Sequence, residues 1–170
     1  LLDIGLQRIT NLIMDMGHLP VDLVNSALES YDKGIMLRPQ IFEGSEKLRF
    51  LQMEVTDFAT KLIARYQPVA RDLRLIQSFM DAAYGFSRFG RYAYDIAEVL
   101  ETIGPFPDCD KSQVTTMAKT VKEMIELSVT SLEKLDKNAS QKLYMLDDGV
   151  DSVFRNYLKK AITQTKKRNF

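Results

Sequence analysis

The sequence predicts an all-α protein of five long antiparallel helices, arranged as tandem three-helix bundles with the second bundle incomplete. Three observations carry this. Eight glycines and five prolines in 170 residues leave long stretches unbroken. Apolar residues recur at alternating steps of three and four, the period of one helix face. Short segments also repeat at an offset of 104: Leu28-Glu29-Ser30-Tyr31-Asp32-Lys33 aligns with Leu132-Glu133-Lys134-Leu135-Asp136-Lys137, Phe42-Glu43 with Leu146-Asp147, and Phe50 with Phe154.

The first stripe, Leu2, Leu6, Ile9, Ile13, Met16, Leu23 and Ala27, describes one helix of about 30 residues in which Pro20 should introduce a kink. Leu48, Leu51, Val55, Phe58 and Leu62 define the second helix. Val69, Leu73, Ile76, Met80, Ala83, Ser87, Gly90, Tyr94 and Ala97 define the third, where Ala83, Ser87, Gly90, Ala93 and Ala97 give a small-residue stripe suited to close helix packing. Val114, Ala118, Val121, Ile125, Ser128, Leu132 and Leu135 mark the fourth, and Leu143, Leu146, Val150, Val153 and Tyr157 the fifth. Breaks are expected at Gly34 to Pro39, at Gln67-Pro68, at Gly104 to Pro107 and near Asn138. The expected organisation is a complete bundle over 1–104, a linker over 105–110, and the first two helices of a second bundle over 111–170.

The third helix opens at Pro68, so at the same offset its counterpart would open at 172, beyond Phe170. Ile125, Val129, Leu132, Leu146, Val150 and Val153 therefore lack a third helix of their own. Association with a second copy or a partner is expected to cover them. The chain starts at Leu1 without a charged start and apolar stretch, and it reads as a fragment.

Composition narrows the chemistry. Lys plus Arg and Asp plus Glu both number 23, which removes the basic excess that nonspecific binding to nucleic acid or anionic membrane needs. The longest stretch without a charged residue is seven residues, Ser112 to Ala118, far from the ~20 apolar residues of a spanning helix. Any membrane association is expected only through partners. One cysteine, Cys109, excludes an intrachain disulfide framework and fits a reducing cytoplasm, where it reads as an inert linker thiol. One histidine, His18, cannot supply the paired Glu-x-x-His ligands of a di-iron bundle enzyme. With no strand, no phosphate-cradling loop of the strand-to-helix type is expected. Lys166-Lys167-Arg168 reads as a solvated basic helix end. No catalytic residue is assigned, and the chain is expected not to be an enzyme.

The octapeptide Gln67-Pro68-Val69-Ala70-Arg71-Asp72-Leu73-Arg74 joins two helices without an intervening loop. Pro68 suits a first helical turn, and Asp72 puts a carboxylate near the positive end of the helix dipole. About 20 residues on lies Ser87-Arg88-Phe89-Gly90-Arg91-Tyr92-Ala93-Tyr94-Asp95-Ile96-Ala97. Both segments resemble signatures of the PhoU family of phosphate-uptake regulators, in particular Gln67, Pro68, Ala70, Asp72, Arg74, Arg88 and Gly90, and the resemblance extends across essentially the whole chain.

That resemblance implies a noncatalytic, cytoplasmic regulator of phosphate homeostasis acting by protein contacts. Its implied partners are a phosphate transporter's ATPase subunit or a sensor kinase, and it is expected to form a homo-oligomer, a dimer. It also implies hard cations, iron or others, bound by Glu/Asp-x-x-x-Asp pairs on the second and third helices. Residues four apart share a helix face, and facing carboxylates repel until a multivalent cation relieves them. The second repeat keeps such a pair, Asp147 and Asp151, a candidate site for iron, zinc or another divalent cation. In the first repeat the aligned positions are Glu43 and Lys47, then Ser87 and Arg91, with Asp95 a turn later. A cation in place of carboxylates supplies the positive charge from within. The first bundle is therefore expected to bind no metal, with Arg91 paired to Glu43 or Asp95. A metal-cluster protein centred on Asp147 and Asp151, or a helical oligomerisation module of a transporter or transcription regulator, are the competing readings.

Overall fold

The computed structural model describes residues 1–104 and 111–168, with side chains described through Thr163. The expected linker 105–110 with Cys109, and the Lys166-Lys167-Arg168 side chains, lie outside the described residues. Six helical segments form: α1 (Leu2–Gly17), α2 (Leu19–Lys33), α3 (Arg38–Tyr66), α4 (Ala70–Ile103), α5 (Ser112–Lys134) and α6 (Ala139–Arg168). No strand forms among the described residues. The chain divides into two compact units, Leu1–Phe106 and Pro107–Phe170.

In the first unit, α1 and α2 are the single long helix expected from the sequence, interrupted at His18 just before Pro20. Proline has no N–H to give the preceding turn and its ring crowds the carbonyl four residues back, so the helix yields there. Together α1 and α2 pack on α3 and α4 as a three-rod bundle. Ile41, Leu48, Val55 and Leu62, seven apart, bury the α3 seam. The α4 seam is Ile76, Ala83, Gly90 and Ala97, interleaved with Phe79, Phe86, Ala93 and Leu100. That interleaved set replaces the expected Met80, Ser87 and Tyr94, which lie one residue round the helix and are only half-buried.

At Gly90 α4 packs tightly on α3: a Cβ there would stand 3.1 Å from the Ser45 Cα and 3.0 Å from Leu48 Cδ1. Close packing is thus the role of this part of the small-residue stripe. Gly85, by contrast, faces open space. At the next turn Gly34 takes φ 68° and ends α2 with its N–H on the Ser30 carbonyl, the left-handed cap that glycine adopts without steric cost.

The second unit is a hairpin of α5 and α6. It centres on Ile125 and Val129, with Ala139 buried beside the turn. The offset of 104 would end α5 at Lys137, but the helix stops at Lys134. Leu135 adopts φ 50°, Asp136 donates its N–H to the Ser131 carbonyl at 2.9 Å and Leu135 its own to the Leu132 carbonyl at 3.4 Å. That pair of bonds is a Schellman cap. The Asp136 carboxylate then accepts the Asn138 N–H at 2.9 Å, and α6 begins at once. A local cap therefore overrides the repeat register here.

Candidate functional site

The signature octapeptide forms a corner. Gln67 takes φ 46° and closes α3 by donating its N–H to the Ile63 carbonyl at 3.0 Å. Pro68 does not occupy a first helical turn as expected. It is buried one residue before the extended cap Val69, and α4 starts at Ala70, itself at φ 46°. Proline constrains its own φ and biases the residue before it away from the right-handed helix, so it serves here to stop α3. Left-handed backbone at these two non-glycine residues, both exposed on either side of buried Pro68, costs of order 1–3 kcal/mol each. Asp72 lies in the first turn of α4 as expected, while Arg71 and Arg74 are exposed and form no ion pair among the described residues.

Alongside the Gly90 crossing, α3 and α4 line a groove of about 770 Å³ that includes Ser45, Glu46, Arg49, Ser87, Arg88 and Arg91. Tyr84, Tyr92, Tyr94, Phe42 and Asp95 complete it. Glu43 and Lys47, the expected counterparts of Ser87 and Arg91, are exposed and do not line it. At about 100° per residue, Ser45 and Arg49 fall about 60 to 100° to one side of buried Leu48, and Glu43 and Lys47 about 100 to 140° to the other. Ser45 and Arg49 on α3 and Ser87 and Arg91 on α4 therefore line the same groove. Glu43 and Lys47 thus lie on the flank of α3 away from the groove, on the other side of the buried seam through Ile41, Leu48 and Val55.

The electrostatics of this groove are cationic at short range. Arg49 forks onto Glu46, with Nη2 to Oε2 at 2.8 Å and Nε to Oε1 at 3.0 Å. That hydrogen bond holds the Glu46 carboxyl below its ordinary value. Arg91 pairs with Asp95, as the sequence suggested, but at 4.0 Å and with its side chain 80% exposed. Arg88 donates to the Tyr92 hydroxyl, which raises its pKa, and stacks over the Tyr84 and Tyr92 rings at 5.9 and 5.2 Å. Ser87 Oγ donates to the Tyr84 carbonyl at 2.8 Å. A hard cation seeks six or more oxygens, and three guanidinium groups around Glu46 and Asp95 do not fit one.

Asp147 and Asp151 lie one turn apart on α6, both exposed. Asp151 accepts a 2.7 Å hydrogen bond from Arg155 Nη2. Among the described residues no group of three or more Asp, Glu, His or Cys side chains converges on one point. Two carboxylates on a single helix, one already engaged, supply too few oxygens for a resident cation.

Arg38 at the start of α3 binds the far end of α4, reaching Glu98 at 3.1 Å, Glu101 at 2.5 Å and the hydroxyl of the groove residue Tyr94 at 2.7 Å. Sequence reasoning missed this cluster, since nothing local links positions some 60 residues apart. Its role is to clamp the two helices.

Such features define a helical-bundle protein with an arginine-lined groove. Residues 13–100 and 114–170 match the profile of the PhoU domain, and the chain belongs to that family. The phosphate-specific transport system accessory protein PhoU homolog of Aquifex aeolicus is 26% identical over 153 residues, 89% of this chain and 69% of that protein. Its Synechocystis counterpart is 26% identical over 154 residues, 88% and 68% of the two chains. The crystal structure of PhoU from Pseudomonas aeruginosa superposes with a TM-score of 0.89, covering 98% of this chain and 81% of that one, at 22% identity. The chain thus spans about two thirds of the length of these curated relatives. Among the described residues no helix is long and apolar enough to cross a membrane.

Proposed function

We propose that the protein is a noncatalytic cytoplasmic accessory protein that regulates phosphate uptake by binding other proteins, with the ATPase subunit of a phosphate transporter or a sensor kinase as its target and a homodimer as its working form. The observation that carries this reading is the family match over both units, together with relatives named as accessory proteins of phosphate-specific transport systems. The second unit supports a contact role. Phe154, Leu158 and Ile162 on α6 leave 48%, 42% and 55% of their surface exposed. Burial of such side chains on a partner is worth roughly 1.5–3 kcal/mol each. A metal-centred function is less well supported, since Arg155 competes for Asp151.

Biolayer interferometry of the immobilised chain against the ATPase subunit and, separately, the sensor kinase tests the proposal. Binding that falls when Phe154 and Leu158 are both changed to Asp supports it, and binding that is absent or indifferent to the change refutes it. Light scattering at tens of micromolar tests the dimer: a monomer with these side chains exposed excludes it.

A further inference from the structure

We infer that the groove between α3 and α4 binds a small phosphate-bearing anion of charge −2 or more, held by Arg88 and Arg91 with the Ser45 hydroxyl. The inference goes beyond the regulatory reading and does not rest on it. Of the three guanidinium groups lining the groove, Arg49 is consumed by its fork onto Glu46. Arg91 meets Asp95 only at 4.0 Å, too long for a hydrogen bond, and Arg88 meets no carboxylate among the described residues. Ser45 Oγ, beside the Gly90 crossing, has no hydrogen-bond partner among the described residues.

Arg88 and Arg91 are three apart on α4, so two cations share one helix face and repel each other until an anion joins them. Arg88 already lies beside two tyrosine rings and donates to the Tyr92 hydroxyl, contacts that reduce the rotamer entropy lost on binding. The ligand class follows from what remains available. Arg88 lies over the Tyr84 and Tyr92 rings, and Phe42 and Arg38 lie against Tyr94. Two adjacent guanidinium forks and a hydroxyl donor match a tetrahedral, multiply charged oxyanion better than a planar monovalent carboxylate. The volume of about 770 Å³ accommodates a di- or triphosphate.

Isothermal titration of the whole chain at low ionic strength, with pyrophosphate, tripolyphosphate and ATP as separate probes, tests the site. One saturable site per chain is expected, weakened about tenfold or more by Arg88→Ala with Arg91→Ala and unchanged by Arg155→Ala on α6. If circular dichroism shows that the double variant is misfolded, Arg88→Lys with Arg91→Lys keeps the charge and removes the forks, and weaker binding is again expected. Equal affinity for ATP and tripolyphosphate supports recognition of the phosphates alone, from either a nucleotide or an inorganic source. No saturable binding, an equal loss in Arg155→Ala, or ATP binding that survives the double substitution overturns the inference.

Discussion

The two units of the chain are made from similar amphipathic helices, yet they bury very different amounts of apolar surface. In the first, Ile9, Ile13, Met16, Ile41, Leu48, Val55, Ile76 and Phe79 are all at or within 1% of full burial. In the second, only Ile125 reaches that level among the described residues, while Leu143, Leu146, Val150 and Val153 are partly open and Phe154 is 48% exposed. Sequence alone does not separate the units, since the stripes on α5 and α6 have the same three-and-four spacing as those on α3 and α4. What differs is the number of rods. A third helix covers the seam that two helices leave open, so burial is a property of the assembly rather than of any one stripe.

The largest expected effect uses this contrast directly. Phe79→Ala removes a fully buried ring from the three-rod core and should lower the free energy of unfolding by ~3–5 kcal/mol. Ile125→Ala in the hairpin should cost nearer ~2 kcal/mol, because a half-open seam collapses around the lost methyl groups more readily. Urea unfolding of the two variants measures both, and equal losses would show that the hairpin is as tightly packed as the bundle.

How far the sequence could be read also differs between the units, and for physical reasons. The helices, the kink before Pro20 and the turns at Gly34 and Gln67 were legible because periodicity, proline and glycine act locally. The Arg38 clamp was not legible, since it joins residues brought together only by the bundle. The groove was half legible. Ser87 and Arg91 stood out as cations and hydroxyls among expected carboxylates, but their partners on α3 are Ser45 and Arg49. Glu43 and Lys47, which the repeat register aligns with Asp147 and Asp151, lie on the opposite flank of α3 from this groove. The break near Asn138 was legible too, and a cap formed by Leu135 and Asp136 sets where α5 ends within it.

That cap gives a second, intermediate test. Both units end their opening helical segment with a left-handed residue, but the first uses Gly34 at φ 68° and the second Leu135 at φ 50°. A Cβ in that region crowds the following carbonyl and costs about 1–2 kcal/mol. Leu135→Gly should therefore stabilise the second unit by about 1 kcal/mol, and Gly34→Ala should destabilise the first by a similar amount. Thermal melts resolve shifts of this size. A loss on Leu135→Gly would mean that the 56% exposed leucine makes contacts worth more than its strain.

The smallest expected effect concerns the acidic pair of the second unit, where an ion pair and a cation would compete for one carboxylate. Arg155 and Asp151 are four apart with side chains 68% and 54% exposed, so Arg155→Ala should change stability by only ~0.3–0.5 kcal/mol. Its effect on metal should be easier to see. With Arg155 present, a cation approaching Asp147 and Asp151 meets a guanidinium 2.7 Å from one of its two carboxylates. The wild-type chain dialysed against iron or zinc should therefore retain less than one equivalent, and Arg155→Ala should retain more. In the first unit Arg49, Arg88 and Arg91 line the groove, so anomalous diffraction from soaked crystals should show no peak beside Glu46 and Asp95. A stoichiometric ion at Asp147 and Asp151 in the wild type would show instead that the hairpin draws further ligands from a second copy, which ties metal binding to the open seam that distinguishes this unit from the first.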